Sequence, residues 1–152
     1  MKYIEAPDKF LGNETSLFLA GGITGCPDWQ QEVVEALKDE PITLLNPRRK
    51  NFPKEDSNAS LAQIKWEYRH LRKASIISFW FPQETLCPIV LYELGAWSMT
   101  DKPILVGVHP NYQRKLDVEI QTSLVRPDVK ICSYLKELVE QISCFIHNQK
   151  SY

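Results

Sequence analysis

The sequence lacks any apolar run long enough to cross a bilayer. Its longest, around Ile76–Phe81, is a fraction of the roughly 20 residues that a spanning helix needs, so no membrane association is expected. The first ten residues, Met1–Phe10, carry charges where a secretory leader would have an apolar stretch. An excess of charge of one sign is also missing: 18 Lys and Arg stand against 19 Asp and Glu, a net charge of -1. With no basic stripe, electrostatic capture of polymeric nucleic acid is not expected. The four cysteines, Cys26, Cys87, Cys132 and Cys144, form no CxxC pair, and no histidine lies at zinc-ligand spacing from them. Neither a metal nor a redox cofactor is therefore expected. Scattered cysteines in a chain of this size suit a reducing compartment, which makes the cytoplasm the expected location. The dinucleotide pattern GxGxxG and the Walker pattern are both absent, and there is no internal repeat or low-complexity segment.

What is present is alternation. The 152 residues suit one domain spanning 1–152. Short apolar runs alternate with amphipathic stretches, the signature of βαβ units around a mostly parallel sheet. Strands are expected at Ser16–Ala20, Ile42–Leu45, Ser75–Phe81 and Pro103–Val108, with a possible last strand at Val129–Cys132. The Ser75–Phe81 run reads as central and buried on both faces. Asp28 is placed to cap a helix from about Trp29 to Lys38. A second helix is expected from Ser60 to about Lys73, its inner face marked by Leu61, Ile64, Tyr68 and Leu71. Pro88 suits the first position of a third, running to about Thr100. Asp117–Thr122 reads equally as strand or helix, and Tyr134–His147 as an amphipathic closing helix. The expected fold class is α/β: a flavodoxin-like, doubly wound, mostly parallel sheet of four to five strands with helices on both faces.

In such sheets ligands bind beyond the carboxyl ends of the strands. Those ends carry Gly21–Gly25, Asn46–Arg49, Pro82–Cys87 and His109–Arg114. Glu93 falls within an apolar stripe formed with Ile89, Val90, Leu94, Ala96 and Trp97. Desolvating a carboxylate is costly, so Glu93 must find a structural partner such as an arginine, keep a proton, or line a cleft. Glu67 borders the inner face of the preceding helix. It is either a solvated acid paired with a neighbouring base or the second member of a carboxylate pair of the kind glycosyl chemistry uses. The turn containing Gly21, Gly22 and Ile23 either brings backbone amides close to a ligand or is a tight strand-to-helix connection. Asn46, Arg48 and Arg49 follow a strand end, where guanidinium forks suit phosphate or carboxylate, or belong to a solvated loop. Trp66, Trp80, Phe81 and Trp97 are core residues or stacking surfaces for a base, with at least two expected in the core. His109 lies at a strand end. Cys87, near a helix N-terminus that would lower its pKa, is a conceivable nucleophile.

Several of these motifs together resemble the nucleoside 2-deoxyribosyltransferase-like family, in particular its small flavodoxin-like branch. The matching segments are Leu17–Ile23, Leu45–Arg49, Trp66–Glu67, Ile76–Pro82, Tyr92–Gly95 and Lys102–Gly107, within about Leu17–Arg114. The Glu-Leu-Gly element at Glu93 is the most specific of them. The resemblance implies that Glu93 is the nucleophile that attacks the anomeric carbon, expels the nucleobase and holds the sugar as an ester. It implies that Glu67, where the family often has aspartate, manages the proton of the leaving base. It implies a further aspartate holding sugar hydroxyls, at about the position where this chain has Cys87, so sugar recognition departs from the family pattern here. In related nucleotide N-glycoside hydrolases a 5′-phosphate is held, a task that Arg48 and Arg49 could perform. The expected ligand is thus a small nucleoside or nucleotide, bound at Gly21, Gly22, Ile23, Asn46, Arg48, Arg49, Trp66 and Cys87. A homo-oligomer is expected, because family members complete their sites across subunits. The alternative is a non-catalytic nucleotide-binding module on the same fold.

Overall fold

A computed structural model of the chain describes residues 1–53 and 55–148. Five strands, β1 (Lys2–Glu5), β2 (Ser16–Gly21), β3 (Thr43–Asn46), β4 (Ile76–Phe81) and β5 (Ile104–Val108), form one sheet in the order β1-β3-β2-β4-β5, with every pairing parallel. Five helices join them: α1 (Trp29–Ala36), α2 (Ser57–Lys73), α3 (Pro88–Ser98), α4 (Lys115–Val125) and α5 (Leu135–Asn148). Strand alternation divides the core into two layers. Phe18, Phe79 and Phe81 pack under Trp66 and Leu71 of α2, Val90 and Leu94 of α3, and Val118 of α4. On the opposite face Leu17, Leu19 and Ile76 meet Val33 of α1, Leu37 at its end, and Leu138, Ile142 and Ile146 of α5. The sheet is therefore the doubly wound, flavodoxin-like one expected. No helix among the described residues is long and apolar enough to cross a membrane.

The helix starts follow local chemistry. The Asp28 side chain accepts from the Gln31 amide at 3.1 Å and caps α1. Asp56 caps α2, which starts at Ser57, three residues earlier than expected, and Pro88 opens α3.

The structure corrects three expectations and settles one that was open between strand and helix. A short edge strand, β1, precedes the first expected one. Its sequence Lys-Tyr-Ile-Glu has charges at both ends, as edge strands do, and so shows no apolar run. Val129–Cys132 is not a strand; only Cys132 bridges to Gly107 at the β5 edge. Asp117–Thr122 is helix, inside α4. The α2 stripe is rotated: Leu61, Ile64 and Tyr68 are exposed, while Ala59, Trp66, His70 and Leu71 are buried. Polar residues take inner positions because partners await them. His70 Nδ1 donates to the Trp66 carbonyl at 2.7 Å and Nε2 accepts from the Phe10 amide at 3.1 Å. Burial also pushes the imidazole pKa down, in keeping with a neutral ring.

Between β2 and β4 the winding reverses: β3 is reached on one side of β2 and β4 lies on the other. A crevice at the carboxyl ends of those two strands is the geometric consequence.

Candidate active site

That crevice holds a cavity of about 260 Å³, close to the lower end of the ligand-pocket range. Its walls come from β2 and its following turn (Phe18, Ala20, Gly21–Thr24), from Pro47 beyond β3, from Thr85 and Cys87, and from α2 and α3, which supply Glu67 and Glu93. Three of the four expected strand-end segments converge here. The fourth, His109–Arg114, does not line the cavity: His109 packs edge-on against Trp80 and accepts from the Asn111 amide.

The two carboxyl groups share a cavity whose other walls are largely apolar. Neither forms a salt bridge among the described residues, so the arginine partner that would explain Glu93 structurally is not there. Burial, reinforced by the negative charge of Glu67, pushes the Glu93 carboxyl up to about 8. Burial also raises Glu67, opposed by a hydrogen bond from Gln63 Nε2 to Glu67 Oε1 at 2.8 Å. Two such groups titrate as a pair: the first charge hinders the second, and near neutral pH the pair retains a proton.

The glycine turn is tight because the protein itself crowds it. A Cβ on Gly22 would come within 2.7 Å of Pro82 Cγ and 3.0 Å of Cys87 Sγ, and Gly25 sits at φ +76°. Its carbonyl at Gly22 is held by Trp29 Nε1 at 2.8 Å and Gln30 Nε2 at 3.3 Å. The amides of Ile23 and Thr24 donate to no group among the described residues, and both residues line the cavity. They are donors available to an anionic or hydroxyl oxygen.

Other expected residues stand elsewhere. Trp66 is not on the cavity; it is buried against Phe18 and His70, and its Nε1 donates to the Asp8 carbonyl at 2.6 Å. Trp80 and Phe81 are likewise core. Asn46 closes the β3 exit, accepting from the Arg48 amide at 2.9 Å and donating to the Tyr3 hydroxyl at 3.0 Å. The Arg48 guanidinium is occupied as a staple: it donates to the carbonyls of Cys26 (3.0 Å) and Pro27 (2.8 Å) and to Gln30 Oε1 (3.0 Å). Arg49 lies over the Phe52 ring and, with Asn46, Arg48 and Lys50, lines a second hollow of about 520 Å³. This hollow shares Ile23 and Thr24 with the first.

Cys87 does line the cavity, but its thiol is not activated. Burial pushes its pKa up to about 12, overriding the helix N-terminus, and Sγ donates weakly to the Thr85 carbonyl. Its backbone is left-handed, with φ 49°.

Thr24 and Thr85 line the cavity from two of the strand-end segments expected to reach it, whereas Gln63 supports the site without having been expected. Its usable signal was its place one helical turn before Glu67 on the same face. Among the described residues no group of three or more His, Cys, Asp or Glu is arranged to hold a metal. A larger hollow, about 1020 Å³, lies between the start of β5 and α5. It contains neither Glu67 nor Glu93, so the chemistry is assigned to the smaller cavity.

No curated protein matches the chain. The family described as nucleoside 2-deoxyribosyltransferase like matches residues 14–112, which run from just before β2 to Tyr112 and contain every residue of the carboxylate cavity. On that match, covering well over half of its length, the chain belongs to the nucleoside 2-deoxyribosyltransferase-like family.

Proposed function

We propose that this protein cleaves or transfers the N-glycosidic bond of a nucleoside or nucleotide through a covalent glycosyl-enzyme on Glu93. The observation that carries the reading is the unpaired Glu67–Glu93 pair in an apolar cavity at the point where the sheet winding reverses. An N-glycosidic bond breaks through an oxocarbenium-like state, and a desolvated carboxylate beside the anomeric carbon stabilises that positive charge. In the free protein the retained proton favours Glu93, the more strongly shifted group, while the hydrogen bond from Gln63 favours charge on Glu67. As the C1′–N bond lengthens, positive charge at C1′ reverses that preference. The Glu93 oxygen bonds to C1′, the proton passes to Glu67, and Glu67 delivers it to the nitrogen that keeps the bonding electron pair. A second base or a water then attacks C1′, loses its proton to Glu67 and frees Glu93. No cofactor is needed for these steps.

Incubation with a panel of nucleosides and their monophosphates, with and without an added free base, tests this reading. The expected result is released base, or exchanged base when an acceptor is present. A second reading has a specific observation in its favour: the neutral Cys87 thiol stands where the family pattern suggests a carboxylate. That reading, a non-catalytic nucleotide-binding module, predicts ligand binding by calorimetry with no base released from any member of the panel.

The second hollow gives a preference among ligands. Arg49 and Lys50 line it with neither side chain in a salt bridge among the described residues, beside Glu5 and Asp28, and it joins the carboxylate cavity at Ile23 and Thr24. Monophosphates are expected to bind more tightly than the parent nucleosides, and Arg49→Ala to narrow the gap. Equal affinities in the unsubstituted protein would remove this claim. Arg48→Ala is expected to loosen the Cys26–Asp28 turn instead.

On the two helices that carry the carboxylates, Ile64 and Tyr68 of α2 and Tyr92 and the cavity-lining Ile89 of α3 are exposed. So many large apolar side chains on these helices support a homo-oligomer that covers them. Light scattering at micromolar concentration should show at least a dimer; a monomer there contradicts this. The four free cysteines are consistent with the proposed cytoplasmic location.

A further inference from the structure

We propose that Gln63 is a positioning residue for the leaving-group proton: its amide, anchored on the Pro47 carbonyl, fixes one oxygen of Glu67 as an acceptor and leaves the other to face the cavity. This deepens the reading of Glu67 given above and rests on it for the substrate, though not for the geometry.

The geometry is closed. Gln63 Nε2 donates to the Pro47 carbonyl at 2.7 Å and to Glu67 Oε1 at 2.8 Å, which uses both of its hydrogens. The amide cannot be turned over, because a carbonyl accepts only, and an oxygen in place of Nε2 would face the Pro47 carbonyl at 2.7 Å, inside van der Waals contact and with no proton between them. Glu67 Oε1 is thereby an acceptor, and a proton on Glu67 belongs on Oε2. That oxygen makes no hydrogen bond among the described residues, while Glu67 lines the cavity. The same amide ties Pro47, a wall of the cavity, to the acid opposite it. Gln63 Oε1 is buried with no partner among the described residues. Gln63 itself does not line the cavity, so it acts through Glu67 and Pro47.

The test uses Gln63→Met, which keeps the length and removes the donors, and follows the Glu67 carboxyl by 13C NMR titration alongside turnover. A donated hydrogen bond favours the charged form, so its loss should move the Glu67 midpoint upward. Turnover on a substrate with an unactivated base should fall by about tenfold or more, with little change in KM. A nitrophenyl glycoside, whose leaving group needs no proton, should be affected much less. If Gln63→Met fails to fold, Gln63→Lys supplies the second measurement: it retains donors, and its positive charge should move the midpoint downward. An unmoved midpoint in a folded variant, or equal losses with both leaving groups, overturns the proposal. If the unsubstituted protein releases no base, the glycosidic reading fails on its own, and the midpoint alone decides whether Gln63 sets Glu67.

Discussion

Glu93→Gln is expected to lower turnover by at least about a thousandfold while leaving a folded protein that still binds its ligand. The amide is nearly isosteric with the acid but can neither form the glycosyl ester nor oppose the oxocarbenium charge, so covalent and electrostatic contributions are lost together. The same variant separates this account from a structural one through its stability. The folded-state pKa of Glu93, about 8, lies above its ordinary value of 4.5. A group raised in this way contributes stability that is fully present below the ordinary value and lost as pH rises through the folded one. Unfolding free energy of the wild type should therefore decline between about pH 4.5 and 8 by an increment that Glu93→Gln lacks. Measured by chemical denaturation, the variant should gain on the wild type as pH rises through that window. Were Glu93 a structural acid held by a hidden cation, the variant would instead be the less stable protein, and most so above pH 4.5.

Glu67→Gln should lower turnover by about a hundred to ten thousand fold on substrates whose base leaves poorly, the usual range for general acid help. A nitrophenyl glycoside should be cleaved at a rate much nearer that of the wild type. The pH dependence carries a sign. With that activated substrate kcat/KM follows ionisation of Glu93, and the charge of Glu67 is one of the two causes that raise it. Removing the charge should shift the rising limb to lower pH. The limb should stay above the ordinary carboxylate value, because burial, the larger cause, remains. Equal losses on both substrates with an unshifted limb would take Glu67 out of the chemistry.

The parts of this molecule that were readable in its sequence are those governed by local pattern. The buried β2 and β4 runs, the Asp28 cap and Pro88 at the start of α3 each act over a few residues. Glu93 stood out because a carboxylate in an apolar stripe has few satisfactory fates. What escaped notice depends on partners distant in the chain. Gln63 meets Pro47 sixteen residues away, and nothing about a glutamine on a helix announces it. Arg48 had the chemistry of a phosphate clamp, yet carbonyls at Cys26 and Pro27 reach it first. The rotation of α2 was hidden because hydrophobicity alone favoured Ile64 and Tyr68, whereas the interior offered hydrogen bonds to His70 and Trp66. For Cys87 the sign itself was at stake: a helix N-terminus lowers a thiol pKa, but burial raises this one further.

The central claim is a covalent bond between Glu93 and a sugar. Incubation with a 2-deoxy-2-fluoro glycoside bearing an activated leaving group should slow the second half of the reaction and let the ester accumulate. Mass spectrometry of the protein should then show one added glycosyl mass. Proteolysis should place it on the peptide containing Glu93, and Glu93→Gln should acquire none. Base released from natural substrates with no adduct at Glu93, or an adduct found on Glu67 or Cys87 instead, would contradict the account.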